Sequence, residues 1–116
     1  MLPKQNCLKQ KTDIDRVFKK GKGFKEDFLF LKTLENNLKI SRFGFIISQK
    51  ISKKATTRNK IKRRLRQLIR SKLKEIKQGI DVLLIALSGL EKKDFQEMEE
   101  TINKIFKKAK CFKKSF

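Results

Sequence analysis

Arg58-Asn59-Lys60-Ile61-Lys62-Arg63-Arg64-Leu65-Arg66-Gln67-Leu68-Ile69-Arg70 combines dense positive charge with an apolar stripe of helical period. At about 100° per residue, Ile61, Leu65, Leu68, Ile69 and Ile76 share one arc, with Leu73 at its edge, as a core-facing helix requires. The same geometry sets Arg58, Asn59, Lys62, Arg63, Arg66 and Arg70 as neighbours on one flank. No Asp or Glu occurs from Asn36 to Lys74, so the repulsion on that flank has no local counterweight and the run is more than an ordinary solvated face. Rows of Arg and Lys suit a phosphate backbone. The stretch predicts a helix that packs on one side and grips a polyanion on the other.

Upstream, 49–57 reads as a basic loop whose Thr56 and Thr57 cap this helix, and Lys39 to Ser48 as a strand rich in aromatic and β-branched residues. Gly44 within it suggests a bulge or close backbone approach. The turn at 35–38 is short enough for an antiparallel hairpin with the preceding strand, Phe24 to Leu34. There the period is two, with Phe28, Phe30 and Lys32 on one face and Leu29, Leu31 and Thr33 on the other. A short strand at 22–25 precedes it. Before that, Thr12 as N-cap with Asp15 three residues on, then Ile14, Val17 and Phe18, predict a short amphipathic helix closed by Gly21 and Gly23 in left-handed conformations. The first residues read as extended, with Leu8 as anchor.

Downstream, the central helix is predicted to run to about Gln78, where Gly79 stops it. Ile80 to Leu87 is nearly unbroken apolar sequence, the mark of a strand buried on both faces. A last helix over 93–110 sets Phe95, Met98, Ile102, Ile105, Phe106 and Ala109 on one face, with acids in its first half and bases in its second. The order is helix, two or three strands, helix, strand, helix. This is an α+β sandwich with helices packed on one sheet, a single RNA-binding domain over 1–116 in which 1–11 and 113–116 are expected to be flexible.

Lys and Arg number 32 against 12 Asp and Glu, and the net +20 steers the chain toward RNA, DNA or an anionic membrane. No window is apolar enough to span a membrane and no secretory signal opens the chain, so a cytoplasmic protein is expected. Cys7 and Cys111 read as reduced, structural thiols. There is no histidine, nucleotide-binding glycine motif, nucleophile elbow or zinc spacing. Asp13 with Asp15, and Glu97 with Glu99 and Glu100, are better explained as helix-end electrostatics than as a Mg²⁺ pair. The chain alone looks unequipped for catalysis. Among ten phenylalanines most belong to a core, but Phe28 and Phe30 with Lys32, plus Phe18 if its helix borders the same cleft, are candidates to stack single-stranded bases on an uncovered sheet face.

With Ser48-Gln49-Lys50, then Arg58-Asn59-Lys60-Ile61-Lys62-Arg63 and Arg66, the chain resembles the bacterial ribonuclease P protein family, whose pattern is Ser-Lys-Lys, a basic loop, Arg-Asn-Arg-x-Lys-Arg and a further Arg three residues later. The resemblance extends to Val17-Phe18, Gly21, Arg42, Gly44 and the apolar strand before an acidic-then-basic helix. It implies three strands between the first two helices, a four-stranded sheet and a left-handed crossover. It also implies the role of protein subunit in an RNA enzyme that removes the 5′ leader of precursor tRNA with Mg²⁺ held mainly by the RNA subunit and none bound tightly by the protein. Its expected partners are ribonuclease P RNA and precursor tRNA, with no DNA, membrane or obligate protein partner.

By this resemblance Arg58, Asn59, Lys62, Arg63 and Arg66 bind the RNA subunit, together with Lys60, where the motif's second Arg is replaced, and Arg70 on the same flank. Lys62 and Arg66 also face the leader, joined by Phe18, Ser48 and Lys50, in a cleft between the signature helix and the sheet. Phe30 and Lys32 complete the leader set. Lys32 stands where the family often has an aromatic, and Gln49 and Gln67 replace a usual Lys and a frequent Glu. A structural RNA-binding protein, such as a ribosomal protein, is the alternative with the same charge. A helix-turn-helix reader and a membrane-surface helix fit less well.

Overall fold

Strand β4 (Ile80–Ala86) sits at the centre of the sheet because its residues are apolar on both faces, Asp81 excepted. In the computed structural model, which describes residues 2–113, it follows α1 (Lys11–Lys20), β1 (Lys22–Glu26), β2 (Leu29–Glu35), β3 (Arg42–Ile46) and α2 (Ala55–Lys72), and precedes α3 (Phe95–Lys108). The sheet order is β1-β2-β4-β3. β1 pairs antiparallel with β2, and β4 pairs antiparallel with β2 and parallel with β3.

The hairpin expected between β2 and β3 does not form. The Asn36 N–H donates to the Gly79 carbonyl at 2.9 Å, and the Asn36 side chain holds Ile40 O at 3.0 Å and the Leu38 N–H at 2.8 Å. The connection therefore steps over the start of β4, and β3 becomes an edge strand. From there α2 forms the crossover to β4, as a parallel pair requires.

The larger core lies under α2 and α3, where Ile61, Leu65, Leu68 and Ile69 meet Leu31, Phe43, Val82 and Leu84, with Met98, Ile102, Ile105 and Phe106. Together these make the main helix-on-sheet sandwich, to which α1 adds a partial third layer in place of the helices on one face that the sequence suggests. α1 lies alone on the opposite face, where Val17 packs with Leu8 and Leu83. One helix cannot cover four strands, so part of that face stays open.

Several element ends differ from the sequence reading. α1 begins at Lys11 behind Gln10, and α2 begins at Ala55 behind Lys54. Neither has a side-chain cap, and Thr12, Thr56 and Thr57 fall inside the helices. α2 ends at Lys72 in a 3₁₀ turn, Leu73–Glu75, short of Gln78. Ile76 is buried beyond the helix and bridges to Phe112. Gly79 does adopt a left-handed conformation, at φ 83°. Gly21 is extended instead, and it closes α1 by donating to Val17 O at 2.8 Å. A Cβ at Gly21 would sit 2.4 Å from that same oxygen. α3 opens on a capping box of Asp94 and Glu97, and Phe95 lies exposed off its core face.

The first segment, expected to be flexible, packs along the edge of β3 in its described part. Leu2 and Leu8 are buried, Asn6 Nδ2 donates to Ser41 O at 2.7 Å, and Cys7 bridges to Phe43. At the other end the Lys113 N–H donates to Glu75 O at 2.7 Å, and residues 114–116 of the terminal segment lie outside the described residues. No helix among the described residues is long and apolar enough to cross a membrane.

Candidate nucleic-acid interface

α2 buries Ile61, Leu65, Leu68 and Ile69 and turns Asn59, Lys60, Arg63 and Arg70 fully outward. Arg58 is half-buried, its Nη1 donating to Ser52 O at 2.8 Å, which ties the basic loop to the start of the helix. Lys62 and Arg66, one turn apart, occupy the shoulder between core and solvent. The Arg66 guanidinium lies 5.7 Å from the Phe45 ring centroid, so β3 fixes its direction. Among the described residues, none of these cations forms an ion pair with a carboxylate.

Lys62 and Arg66 wall one side of a groove of about 450 Å³, floored by Phe43, Gly44 and Phe45 and closed by Leu8 and Ile14. A Cβ on Gly44 would come within 3.3 Å of Leu8 O, so glycine is what lets the N-terminal segment lie this close to β3. The cleft is thus bounded by the signature helix and the edge of the sheet, and the first segment and α1 supply its far wall.

Ile14 and Phe18 stand one turn apart on α1, so the helix leads from this groove to the open sheet face. Phe18 is 49% exposed there. Lys32 donates its ammonium to Phe18 O and holds Nζ 4.9 Å from the Phe18 ring centroid, making one composite feature of the two residues. Phe30 shares this face through its row with Ile85 and Ile46, and its ring lies against Gly23. Ser48 and Lys50 are exposed just past β3, where Ser48 Oγ accepts from the Lys50 N–H at 3.2 Å. Phe28 is the exception. It falls in the turn between β1 and β2, against Gly89 and with Lys93 Nζ 4.6 Å above its ring, on the side of the larger core.

A buried ion network holds α1 against the sheet. Asp81, wholly buried, accepts from Arg42 Nε at 2.9 Å, Arg42 Nη2 at 2.7 Å, Asn36 Nδ2 at 2.8 Å and Arg16 Nη2 at 3.5 Å. Arg42 Nη1 also reaches Asp13 at 3.2 Å. Hydrogen bonds to Asp81, against some burial, raise the Arg42 pKa above its ordinary value. The only hint of this network in the sequence is one carboxylate in an otherwise apolar strand.

The same network decides what the acids can do. Asp13 and Asp81 are neutralised by arginines, Glu97 is engaged in a helix cap, and no group of three ligating side chains forms among the described residues. The described residues therefore offer no all-protein cage for a magnesium ion. Both cysteines are free thiols, and burial pushes the Cys111 thiol up to about 11, so it stays protonated at neutral pH.

A profile of the Ribonuclease P family matches residues 2–110. The ribonuclease P protein component of Pseudanabaena sp. (strain PCC 6903) is 36% identical over 111 residues, covering 95% of this chain and 96% of that protein. Its counterpart in Syntrophomonas wolfei is 38% identical over 112 residues, covering 97% and 93%. Among solved structures, Staphylococcus aureus RNase P protein superposes with a TM-score of 0.86 at 26% identity, covering 93% of this chain and 98% of that one. The Thermotoga maritima RNase P protein gives 0.81 at 28% identity, covering 88% and 96%.

Proposed function

The chain belongs to the Ribonuclease P family, and we propose that its exposed α2 flank binds the RNA subunit while the groove beside α2 receives the 5′ leader of precursor tRNA. It is the protein subunit of an endoribonuclease holoenzyme that removes that leader in tRNA maturation. A structural RNA-binding role is not favoured, because the family match spans nearly the whole chain.

The observation that carries the division of labour is the placement of Lys62 and Arg66. They stand on the shoulder of α2, in the wall of the groove, while Asn59, Lys60, Arg63 and Arg70 point away from it. Arg58 steadies the loop that leads to Ser48 and Lys50 at the groove's end. A single strand entering past Ser48 and Lys50 meets Lys62 and Arg66, then Phe18 with Lys32, then Phe30. Cations neutralise its phosphates and the half-exposed Phe18 ring takes a base. Binding is thereby converted into position, since holding the leader fixes the scissile phosphate against the RNA subunit.

We assign the magnesium ions to the RNA subunit, since no group of three ligating side chains forms among the described residues of this chain. The working compartment is the cytoplasm. Ribonuclease P RNA and precursor tRNA are the partners, and no DNA, membrane or obligate protein partner is assigned.

Arg66→Ala tests the reading. The holoenzyme should lose affinity for precursor tRNA by about 10- to 150-fold, as for a charged contact of about 1.5–3 kcal/mol, and lose much less for mature tRNA. Equal losses for both would refute a leader contact at Arg66.

A further inference from the structure

Outside the signature flank and the groove, three further grooves run together from the far end of α2 to the end of α3 and the β1–β2 hairpin. Their volumes are about 400, 440 and 730 Å³. The first and second share Lys77, and the second and third share Lys74 and Lys113, so they form one belt. Its cations are all lysine. Lys22, Lys74, Lys77, Lys107, Lys110 and Lys113 are exposed, and none pairs with a described carboxylate, although Glu35 and Glu75 line the same grooves.

We propose that this lysine belt is a second contact for the RNA subunit, continuous with the signature helix and reading only the phosphate backbone. The inference rests on the function proposed above. Arg63, Arg70 and Lys74 follow one another at spacings of seven and four, so an outward cationic row runs down α2 into the belt. Arg63 and Lys74 are separated by about 16 Å along the axis. A single folded RNA surface spans both.

The change of residue type along the row fits this. Arginine offers a planar fork suited to defined phosphate geometry, whereas lysine is a mobile point charge that neutralises backbone without fixing a register. Arginine predominates on the signature half and lysine alone on the belt, as expected if the first sets orientation and the second adds sequence-independent attraction. Favourable lysines at helix C-termini account for Lys107 in the last turn of α3. Lys22, Lys74, Lys77, Lys110 and Lys113 lie past the ends of the three α-helices, beyond the last turn in which that effect acts. The belt shares no residue with the groove that holds Lys62 and Arg66 and instead continues the outward flank of α2, which favours the RNA subunit over the leader as its occupant.

The test compares wild type with Lys74→Gln/Lys77→Gln/Lys113→Gln, and with Lys22→Gln/Lys107→Gln/Lys110→Gln, in binding ribonuclease P RNA across a salt series. Circular dichroism checks that each is folded. Each triple variant should lower the slope of log affinity against log salt by about 2 to 3, at about 0.9 per phosphate lost. The ratio of precursor to mature tRNA affinity should stay unchanged, and Lys→Arg at the same positions should keep the wild-type slope. Unchanged slopes would overturn the belt and leave the functional reading intact. A slope change seen only when the assembled holoenzyme binds tRNA would overturn it in favour of the substrate. Failure of the wild-type protein to bind the RNA subunit would overturn the functional reading, and the belt with it.

Discussion

Asp81 and Lys32 show how a single side chain sets the site at a distance and at contact. Asp81 has no exposure, and its oxygens accept from Arg42, Asn36 and Arg16. Removing it leaves the Arg42 guanidinium under α1 with only Asp13. Asp81→Ala should therefore lower stability by about 3–5 kcal/mol in urea unfolding, and an unchanged midpoint would contradict the role given to this network. Sequence did not reveal it, because one carboxylate in an apolar strand carries no periodic signal and its partners lie far away in the chain. Lys32 was legible from the two-residue alternation that sets it beside Phe30. Its contact with Phe18 was not, since α1 and β2 meet only in the fold. Lys32→Ala should flatten the salt dependence of leader binding by about 0.7 in slope, the share of one phosphate on a single strand. An unchanged slope would leave Lys32 as a helix-end hydrogen-bond donor only. Phe28 misled because alternation assumes an unbroken strand, whereas Asp27 at φ 50° turns the chain just before it.

α2 was the most legible element, because a stripe of period 3.6 and a charge run of the same phase agree. Its ends were not, because threonines that could cap a helix fell within its first turn and the 3₁₀ turn at Leu73–Glu75 continues the helical apolar spacing. The strands show a different limit. The apolar run of β4 announced a buried strand, but local sequence does not say which strands flank it. A short turn between β2 and β3 suggested a hairpin, and Asn36 bonding across to Gly79 selects the alternative. α1 depends on an element end of its own. At Gly21 a Cβ would press on Val17 O at 2.4 Å, a backbone atom that cannot rotate away. Gly21→Ala should cost about 1–3 kcal/mol in thermal unfolding and, by shifting Ile14 and Phe18, reduce the preference for precursor over mature tRNA. A wild-type melting temperature would show that α1 is less constrained than this contact requires.

For the whole molecule, the net charge of +20 pointed to a polyanion from the outset, but charge alone leaves RNA, DNA and membrane open. The order of the signature residues narrowed this to one family. The fold then sorts the cations by direction, with Arg63 and Arg70 outward, Lys62 and Arg66 into the groove, and the lysines at the far end of α2 around a separate belt. Among the acids, Asp13 and Asp81 pair with arginines, and Asp94 and Glu97 close a helix cap. On the function proposed above, such a distribution of charge lets the protein bring two RNAs together and lower their mutual repulsion. The direct test is cleavage of precursor tRNA by a bacterial ribonuclease P RNA at low Mg²⁺, with and without this protein, on substrates with and without a 5′ leader long enough to reach the groove. The protein should rescue cleavage, and the rescue should be larger for the substrate with the leader. RNA binding without rescue, or equal rescue of both substrates, would contradict the account.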